Sequence, residues 1–463
     1  MPANQVLTAA QMRGAEAALI ASGTSVNELM QRAGQGASEW VWRLSGGRSV
    51  TVLCGPGNNG GDGYVIAEAL WERGTAVAVV AAAEPQTDAA RNARSLYQGE
   101  VRGPSATPHG EVLVDCLFGT GLTRPLSADH AALLARLAAS HHQVVAVDLP
   151  SGIDADLGLA LNSGLPANDL TLALGAWKPA HFLMPAAATM GALRLVEIGV
   201  EPVAGAAQVI ARPQFVPPGA AAHKYTRGLL GVIGGAMPGA AALAALAAQG
   251  AGAGYVKLLG QGTALAADLV HDSRPLADAL SDKRLNALLI GPGLGRDGAA
   301  REALALVLAE QIPSVIDADA LMLLTPRLLR KRTAPLIATP HGGELAALEA
   351  AFGLSGTGSK ITRAAALAVA SGMVIVAKGA DTVVAAPDGR IALAQRGSSW
   401  LSMAGTGDVL AGTIASRLAT GTEAFAAACE GVWLHGEAAW LCPAPFTASQ
   451  LAAQVRSAYA ACL

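Results

Sequence analysis

Carboxylates, amides and glycines gather at the ends of apolar runs in this chain. Residues 50–54 are apolar and lead into Gly55-Pro56-Gly57-Asn58-Asn59-Gly60-Gly61-Asp62-Gly63, after which a helical pattern covers 64–73. Glycines let backbone N–H groups come close to a ligand, and a helix N-terminus favours phosphate. Asn58, Asn59 and Asp62 add amide and carboxylate groups beyond what a turn needs, although a tight turn with capping side chains would read similarly. The segment is neither GxGxxG nor a P-loop, because no GK[ST] follows. Asp115 lies in the apolar run 112–118, ahead of Gly119-Thr120-Gly121-Leu122-Thr123-Arg124-Pro125. Asp148 closes the run 144–147 and precedes Leu149-Pro150-Ser151-Gly152. A single aspartate at a strand end usually caps a helix or makes a turn. Three polar, glycine-rich strand ends converge on one crevice, since open parallel sheets bind ligands beyond the carboxyl ends of their strands. A carboxylate there can take or give a proton.

The second half carries a different set: Gly234-Gly235-Ala236-Met237-Pro238-Gly239-Ala240-Ala241, Gly291-Pro292-Gly293-Leu294-Gly295, Asp317-Ala318-Asp319-Ala320 and Thr339-Pro340-His341-Gly342-Gly343-Glu344. Lys378-Gly379-Ala380-Asp381-Thr382 follows an apolar run, and Ala404-Gly405-Thr406-Gly407-Asp408 opens a helix. Glycines at a helix start offer free N–H groups and a positive dipole end to an anion. A carboxylate in that turn would repel phosphate, so Asp408 is placed to act on a hydroxyl, unless it merely caps the helix. His341 taken alone reads first as an ordinary loop histidine, and Lys378 as a phosphate ligand or a solvated lysine. Asp317 and Asp319 are helix caps or metal-associated carboxylates.

These residues need a scaffold of buried strands. From residue 50 onward, short runs apolar on both faces alternate with helical patterns, the mark of a parallel α/β layer fold. Strands are expected at 50–54, 76–82, 112–118, 144–148, 171–174 and 192–198, with helices at 64–73 and 127–139. Thr8 and Gln11 form a capping box for an N-terminal helix. Prolines at 213, 217 and 218 break the pattern, so 206–222 reads as a linker between domains at 1–205 and 223–463. A second alternation follows, with strands at 229–233, 287–290, 314–316, 336–339 and 373–377, and a hairpin at 382–394 around Pro387-Asp388-Gly389-Arg390. The reading is two three-layer α/β/α domains.

Composition narrows the partners. Apolar residues make up 52% of 463, enough for real cores. Lys+Arg 32 against Asp+Glu 35 leaves a net charge of −3 with no basic block, which disfavours nucleic acid and anionic membrane. Five scattered cysteines without a CxxC pair fit neither a disulfide framework nor a zinc site, and suit the cytoplasm. Residues 228–256 carry no charge, yet their glycines and Pro238 favour strand, turn and helix over a membrane span. Alanine-rich helices could pack between subunits, so a homo-oligomer is an expectation.

GPGNNGGDG, DCLFGTGLTRP and VDLPSG, with the upstream LTAAQMR, resemble the signatures of the NAD(P)H-hydrate epimerase family over residues 1–205. The resemblance implies a Rossmann-like domain. In it Asn58, Asn59, Gly60, Gly61 and Asp62, with Gly119, Thr120, Gly121, Leu122, Thr123, Arg124 and Pro125, would hold the hydrated dinucleotide. Asp148 would bind substrate and handle a proton, while Asn59, Asp115 and Ser151 would coordinate K⁺. The second half, from HKY through MPGAA, IGPGLG, DADAL, TPHGGE, KGADT and AGTGDVLAG, resembles the ADP-dependent NAD(P)H-hydrate dehydratase family, which is ribokinase-like. By that resemblance Ala241, Gly293, His341 and Asp408 would contact the hydrate. Lys378, Gly379, Ala380, Asp381, Thr382 and Gly407 would hold ADP with Mg²⁺. Two departures stand out: Ala236 replaces a frequent serine, and Ser399-Trp400-Leu401-Ser402 precedes AGTGD where proline or asparagine is usual.

Together the two halves imply a repair enzyme. It would interconvert the (R) and (S) hydrates of NADH and NADPH, and dehydrate the (S) form at the expense of ADP, giving AMP and phosphate. The rival is a ribokinase-like kinase for a small alcohol, such as a vitamin precursor, fused to a dinucleotide-binding module.

Overall fold

The computed structural model describes residues 4–260 and 267–463. The chain divides into two compact units, 1–208 and 209–463.

The first unit is built on a seven-stranded sheet. Its order from one edge is Val101–Arg102, Val77–Ala81, Val50–Cys54, Gly110–Cys116, His141–Val147, Leu170–Leu174 and Ala192–Val196, every neighbouring pair parallel. Alternate residues of one strand serve two cores. Val52 and Cys54 join Met30, Ala37, Tyr64 and Ala93 on one face, while Leu53 joins Leu133, Leu134 and Leu137 on the other. Helices Val26–Ser45, Asn58–Glu72 and Asp88–Leu96 therefore cover one side, and Ala128–Ala139 the other. The expected capping box of Thr8 and Gln11 opens helix Ala9–Ala21. Gln5 and Val6 pair antiparallel with Gln208 and Ala207, so the first and last segments of this unit lie side by side.

Helix Asn58–Glu72 starts inside the glycine-rich segment, six residues before the expected helix. Glycine is a poor helix former, but tertiary packing demands it here. A β-carbon on Gly60 would stand 1.8 Å from the Gly55 carbonyl oxygen. The helix thus begins pressed against the strand that feeds it.

The second unit repeats the principle. Its sheet runs Ile391–Leu393, Val383–Ala385, Val374–Ala377, Leu336–Ala338, Ser314–Ile316, Leu285–Ile290, Leu229–Ile233, Tyr255–Leu259 and Val270–Asp272. All pairs are parallel except two: Val383–Ala385 runs antiparallel both to Val374–Ala377 and to Ile391–Leu393. Every residue of Leu229–Ile233, Ser314–Ile316 and Val374–Ala377 is buried, so both faces are covered. The uncharged stretch becomes a strand, helix Pro238–Gly250 and the start of strand Tyr255–Leu259. Among the described residues no helix is long and apolar enough to cross a membrane.

The stretch expected as a linker is only partly one. Ile210 N–H donates to the Leu393 carbonyl (2.8 Å) and Phe215 N–H to that of Cys462 (2.8 Å). Phe215 is buried, stacked on Tyr459 at 4.4 Å between ring centroids. Proline bars helix and central strand, yet an extended chain can still anchor through an aromatic side chain.

Candidate functional site

In the first unit the polar strand ends do meet, in a cleft of about 490 Å³. Asn58, Asn59, Asp62, Gly119, Thr120, Gly121, Leu122 and Asp148 line it, joined by Glu16 from helix Ala9–Ala21 and by Lys178. Asp148 sits at the centre on a left-handed backbone (φ 68°), a conformation that aspartate tolerates better than most residues. Its Oδ2 accepts from the Thr120 backbone N–H (2.9 Å) and hydroxyl. Its Oδ1 accepts from the Lys178 ammonium, whose side chain is 1% exposed and also donates to the Leu174 carbonyl (2.7 Å). Burial alone would raise the Asp148 pKa. The Lys178 charge, then the Lys178 and Thr120 hydrogen bonds, outweigh it and hold the carboxyl below its ordinary value.

His181 completes the support. The Lys178 backbone N–H donates to its Nδ1 (2.8 Å), so Nε2 carries the proton and donates to the Asp148 carbonyl (2.8 Å). Burial, then the Lys178 charge, lower its pKa to about 4, which keeps the ring neutral.

Two other acids in the cleft are driven the opposite way. Burial raises Asp62 well above the usual carboxylate range, with Asp148 and Glu16 adding to it. Glu16 is raised by burial and then by Asp148. The site therefore pairs a carboxyl held below its ordinary pKa with two acids pushed above theirs, a division suited to acid–base work.

The amide oxygen and nitrogen of Asn59 are buried and neither is hydrogen-bonded. Asp115, at the end of strand Gly110–Cys116, accepts from Leu117 N–H (3.1 Å) and from the Ser151 hydroxyl (2.8 Å) and N–H (3.0 Å). Burial raises its pKa. An orphaned amide oxygen, a buried carboxylate and a hydroxyl are hard donors, and this set fits an alkali cation. Asn58 Oδ1 accepts from the Thr87 hydroxyl (2.6 Å). Gly60 and Gly61 are buried and serve packing, Gly61 against the Met30 side chain. Thr123, Arg124 and Pro125 continue the loop into solvent. Gly119 has a direct reason: a β-carbon there would lie 2.9 Å from Asp148 Oδ2.

In the second unit, helix Thr406–Ala419 starts at Gly405 (φ 91°) with no side-chain cap. Asp408 is in its first turn and does not cap it, which removes the plain structural reading. Burial, then the charge of Asp317, raise its pKa to about 6, against the pull of Lys378. The Lys378 ammonium donates to Asp317 Oδ1 (2.6 Å), which also takes the Thr339 hydroxyl (2.7 Å). That ammonium would stand 3.5 Å from a β-carbon on Gly407. An uncapped helix start and an ammonium thus face the same space, the arrangement that holds phosphate.

The remaining expected residues are more varied. His341 is exposed and caps helix Gly342–Ala351, its Nδ1 accepting from Gly343 N–H (3.0 Å) and its Nε2 lying 3.3 Å from Glu344. Gly293 (φ 63°) presses against the Met237 carbonyl. Ala241 has no exposed surface, so the ligand contact expected of it has nothing to form through. In the segment 378–382, the Thr382 hydroxyl bonds Gly379 at both its N–H (3.2 Å) and its carbonyl (2.9 Å). Lys360 braces that segment by donating to Asp381 Oδ1 (2.5 Å) and to the Lys378 carbonyl (3.0 Å), and Ala380 is exposed. Asp319 is used structurally, taking Gly295 N–H (3.0 Å) and Arg296 (2.7 Å). Among the described residues no group of three or more His, Cys, Asp or Glu side chains is placed to hold a metal ion.

A family model described as YjeF-related protein N-terminus matches residues 26–180, and one described as NAD(P)H-hydrate dehydratase matches 230–460. Each lies within one unit. The bifunctional NAD(P)H-hydrate repair enzyme of Mycobacterium leprae is 34% identical over 98% of this chain and 98% of its own. The chain belongs to the bifunctional NAD(P)H-hydrate repair enzyme family. The Gloeobacter violaceus member is 36% identical over 94% of this chain and 92% of its own. A Bacillus subtilis ADP/ATP-dependent NAD(P)H-hydrate dehydratase, co-crystallised with ATP/Mg²⁺, is 28% identical, covering 54% of this chain and 95% of that one at a TM-score of 0.47.

For a member of the repair-enzyme family, the sequence reading overlooked Lys178, His181, Glu16 and His435. His435 is half-buried on helix Ala424–Leu441, its Nε2 at 3.0 Å from the Thr406 carbonyl; desolvation first, then Lys378, lowers its pKa to about 4. Of these, only Lys178-Pro179-Ala180-His181 carried a signal: a lysine and a histidine just beyond a buried strand.

Proposed function

We propose that the first unit interconverts the (R) and (S) hydrates of NADH and NADPH, and that the second dehydrates the (S) hydrate with ADP, yielding AMP, phosphate and the intact dinucleotide. The observation that carries the reading is the opposite setting of two aspartates. Asp148 is held ionised by Lys178, and Asp408 is poised at about 6 beside an uncapped helix start.

In the first unit, the ionised Asp148 accepts the hydroxyl proton at the hydrated carbon. Thr120 and Lys178 fix its two oxygens, so the free electron pairs keep one direction. The start of helix Asn58–Glu72 faces the dinucleotide's phosphates. Asn59, Asp115 and Ser151 would hold K⁺, whose charge would offset that of the phosphates.

In the second unit, Asp408 takes the hydroxyl proton as that oxygen attacks the terminal phosphorus of ADP, and AMP leaves. Phosphate then departs with a proton from the adjacent ring carbon, which restores the dihydronicotinamide. A pKa near 6 leaves Asp408 mostly ionised at neutral pH while still a useful base. Lys378, Gly379, Ala380, Asp381, Thr382 and Gly407 surround the nucleotide, and Gly293 and His341 border the hydrate. Mg²⁺ bound to the nucleotide's phosphates would supply charge neutralisation, since it is usually held by substrate phosphates and few protein groups. The five free thiols fit a cytoplasmic enzyme.

Chromatography of purified (R)- and (S)-NADH hydrate, incubated with the protein, Mg²⁺ and K⁺, tests this. Both epimers are expected to disappear with ADP, giving NADH and AMP, and to interconvert without it. A phosphate ester that accumulates would make the second unit a kinase. Unchanged epimers would remove both assignments.

A further inference from the structure

Asp62 has no structural task. Helix Asn58–Glu72 has Gly57 as its N-cap, so Asp62, one turn in, caps nothing. Aspartate in a helix interior is a poor former. The residue is 8% exposed, its carboxyl makes no hydrogen bond among the described residues, and it lines the cleft that holds Asp148. Leaving a buried acid without a donor is costly unless it stays protonated, and a protonated carboxyl facing a ligand is a proton donor.

We propose that Asp62 is a second catalytic residue of the first unit, the acid that works opposite the base Asp148. The proposal rests on the epimerase reading and specifies its chemistry. At the hydrated carbon, Asp148 takes the hydroxyl proton, the carbon–nitrogen bond of the ring breaks, and the carbon becomes an aldehyde. The electron pair of that bond goes to the ring nitrogen, which takes the Asp62 proton. Rotation presents the other face of the aldehyde. The nitrogen then attacks it, returning its proton to Asp62, and the oxygen recovers the proton from Asp148. No oxidant or co-reactant is consumed.

The charged groups that act on Asp62 are Asp148, Glu16 from helix Ala9–Ala21 and the Lys178 ammonium, and Arg13, Asn58 and Asn59 line the same cleft. Asp148 and Glu16 disfavour its ionisation and Lys178 favours it.

Interconversion of (R)- and (S)-NADH hydrate without nucleotide, followed across pH in the full chain, decides the matter. Wild-type turnover should fall at high pH as Asp62 loses its proton. Asp62→Asn should lower kcat about 10²-fold, with KM changed less than about 3-fold and the high-pH decline gone. Glu16→Gln removes a like charge and should move the wild-type decline to lower pH. Near-UV circular dichroism confirms that the first unit of Asp62→Asn is folded, and ADP-dependent loss of the (S) hydrate reports the second. Wild-type turnover in Asp62→Asn overturns the proposal. If that variant does not fold, an unmoved decline in Glu16→Gln overturns it instead. A wild-type chain that interconverts nothing sinks the epimerase reading, and this proposal with it.

Discussion

Asp148 follows a strand and Asp408 lies in the first turn of a helix, and their neighbours drive their pKa values apart. Lys178 is what keeps Asp148 ionised, so Lys178→Met lets burial win and raises its pKa. A carboxyl raised in the folded state contributes stability below its unfolded pKa and loses it as pH rises through the folded value. The variant should therefore melt near wild type at pH 4 but well below it at pH 8, because a buried charge has lost its partner at a cost of roughly 3–5 kcal/mol. Differential scanning at the two pH values checks this. Asp408 is already in that condition, with a folded pKa of about 6. Asp408→Asn should abolish ADP-dependent dehydration, raise the melting temperature at pH 8 and leave it unchanged at pH 4. In the wild type, dehydration should rise with pH through about 6. For Asp148, asparagine is the informative replacement: it tolerates the left-handed backbone (φ 68°), whereas alanine adds strain to the loss of the carboxylate. Asp115 and Asp148 were legible because strand ends announce themselves in a pattern of apolar runs. Glu16 was not, since it comes from a helix that only the fold brings to the site, and Lys178 and His181 showed no more than their place just beyond a buried strand.

The helix Asn58–Glu72 shows why element boundaries are harder to read than their order. Its glycines look like a loop because propensity disfavours them in a helix. They are required by the close approach of Gly60 to Gly55 and of Gly63 to the Cys54 and Cys116 side chains. Strand Tyr255–Leu259 escaped notice because it carries Lys257, a buried lysine paired with Asp282 at 3.2 Å. Lysine inside an apolar run hides a buried strand. The loop after strand Gly110–Cys116 is held as tightly. Gly119→Ala would thrust a β-carbon to 2.9 Å from Asp148 Oδ2 and 3.2 Å from its Cβ. The Thr120 clasp must then open, so epimer interconversion should fall at least about 10-fold. Dehydration by the same protein sample, measured in parallel, should be unaffected.

At the scale of the whole molecule, two layered units were legible because each hydrophobic period is complete within its half. The stretch at 206–222 was not, because proline content reports what a segment cannot form and says nothing of where its one phenylalanine docks. Each unit has its own core and its own aspartate, and changes at sites that share no partner combine additively. Asp148→Asn should remove interconversion alone and Asp408→Asn dehydration alone, and the double variant should show both losses without a further one. The pairing of Gln5 and Val6 with Gln208 and Ala207 has a consequence of another kind. A unit whose two ends meet behaves as a cassette, indifferent to where its chain is cut, so long as the cut falls on the surface. Gly46 and Gly47, exposed between a helix and a strand with open space around them, offer such a cut. A permutant that starts at Gly47, joins 208 to 4 through a short linker and ends at Gly46 should keep its fold. The same closure would let the unit be carried whole inside a loop of an unrelated protein.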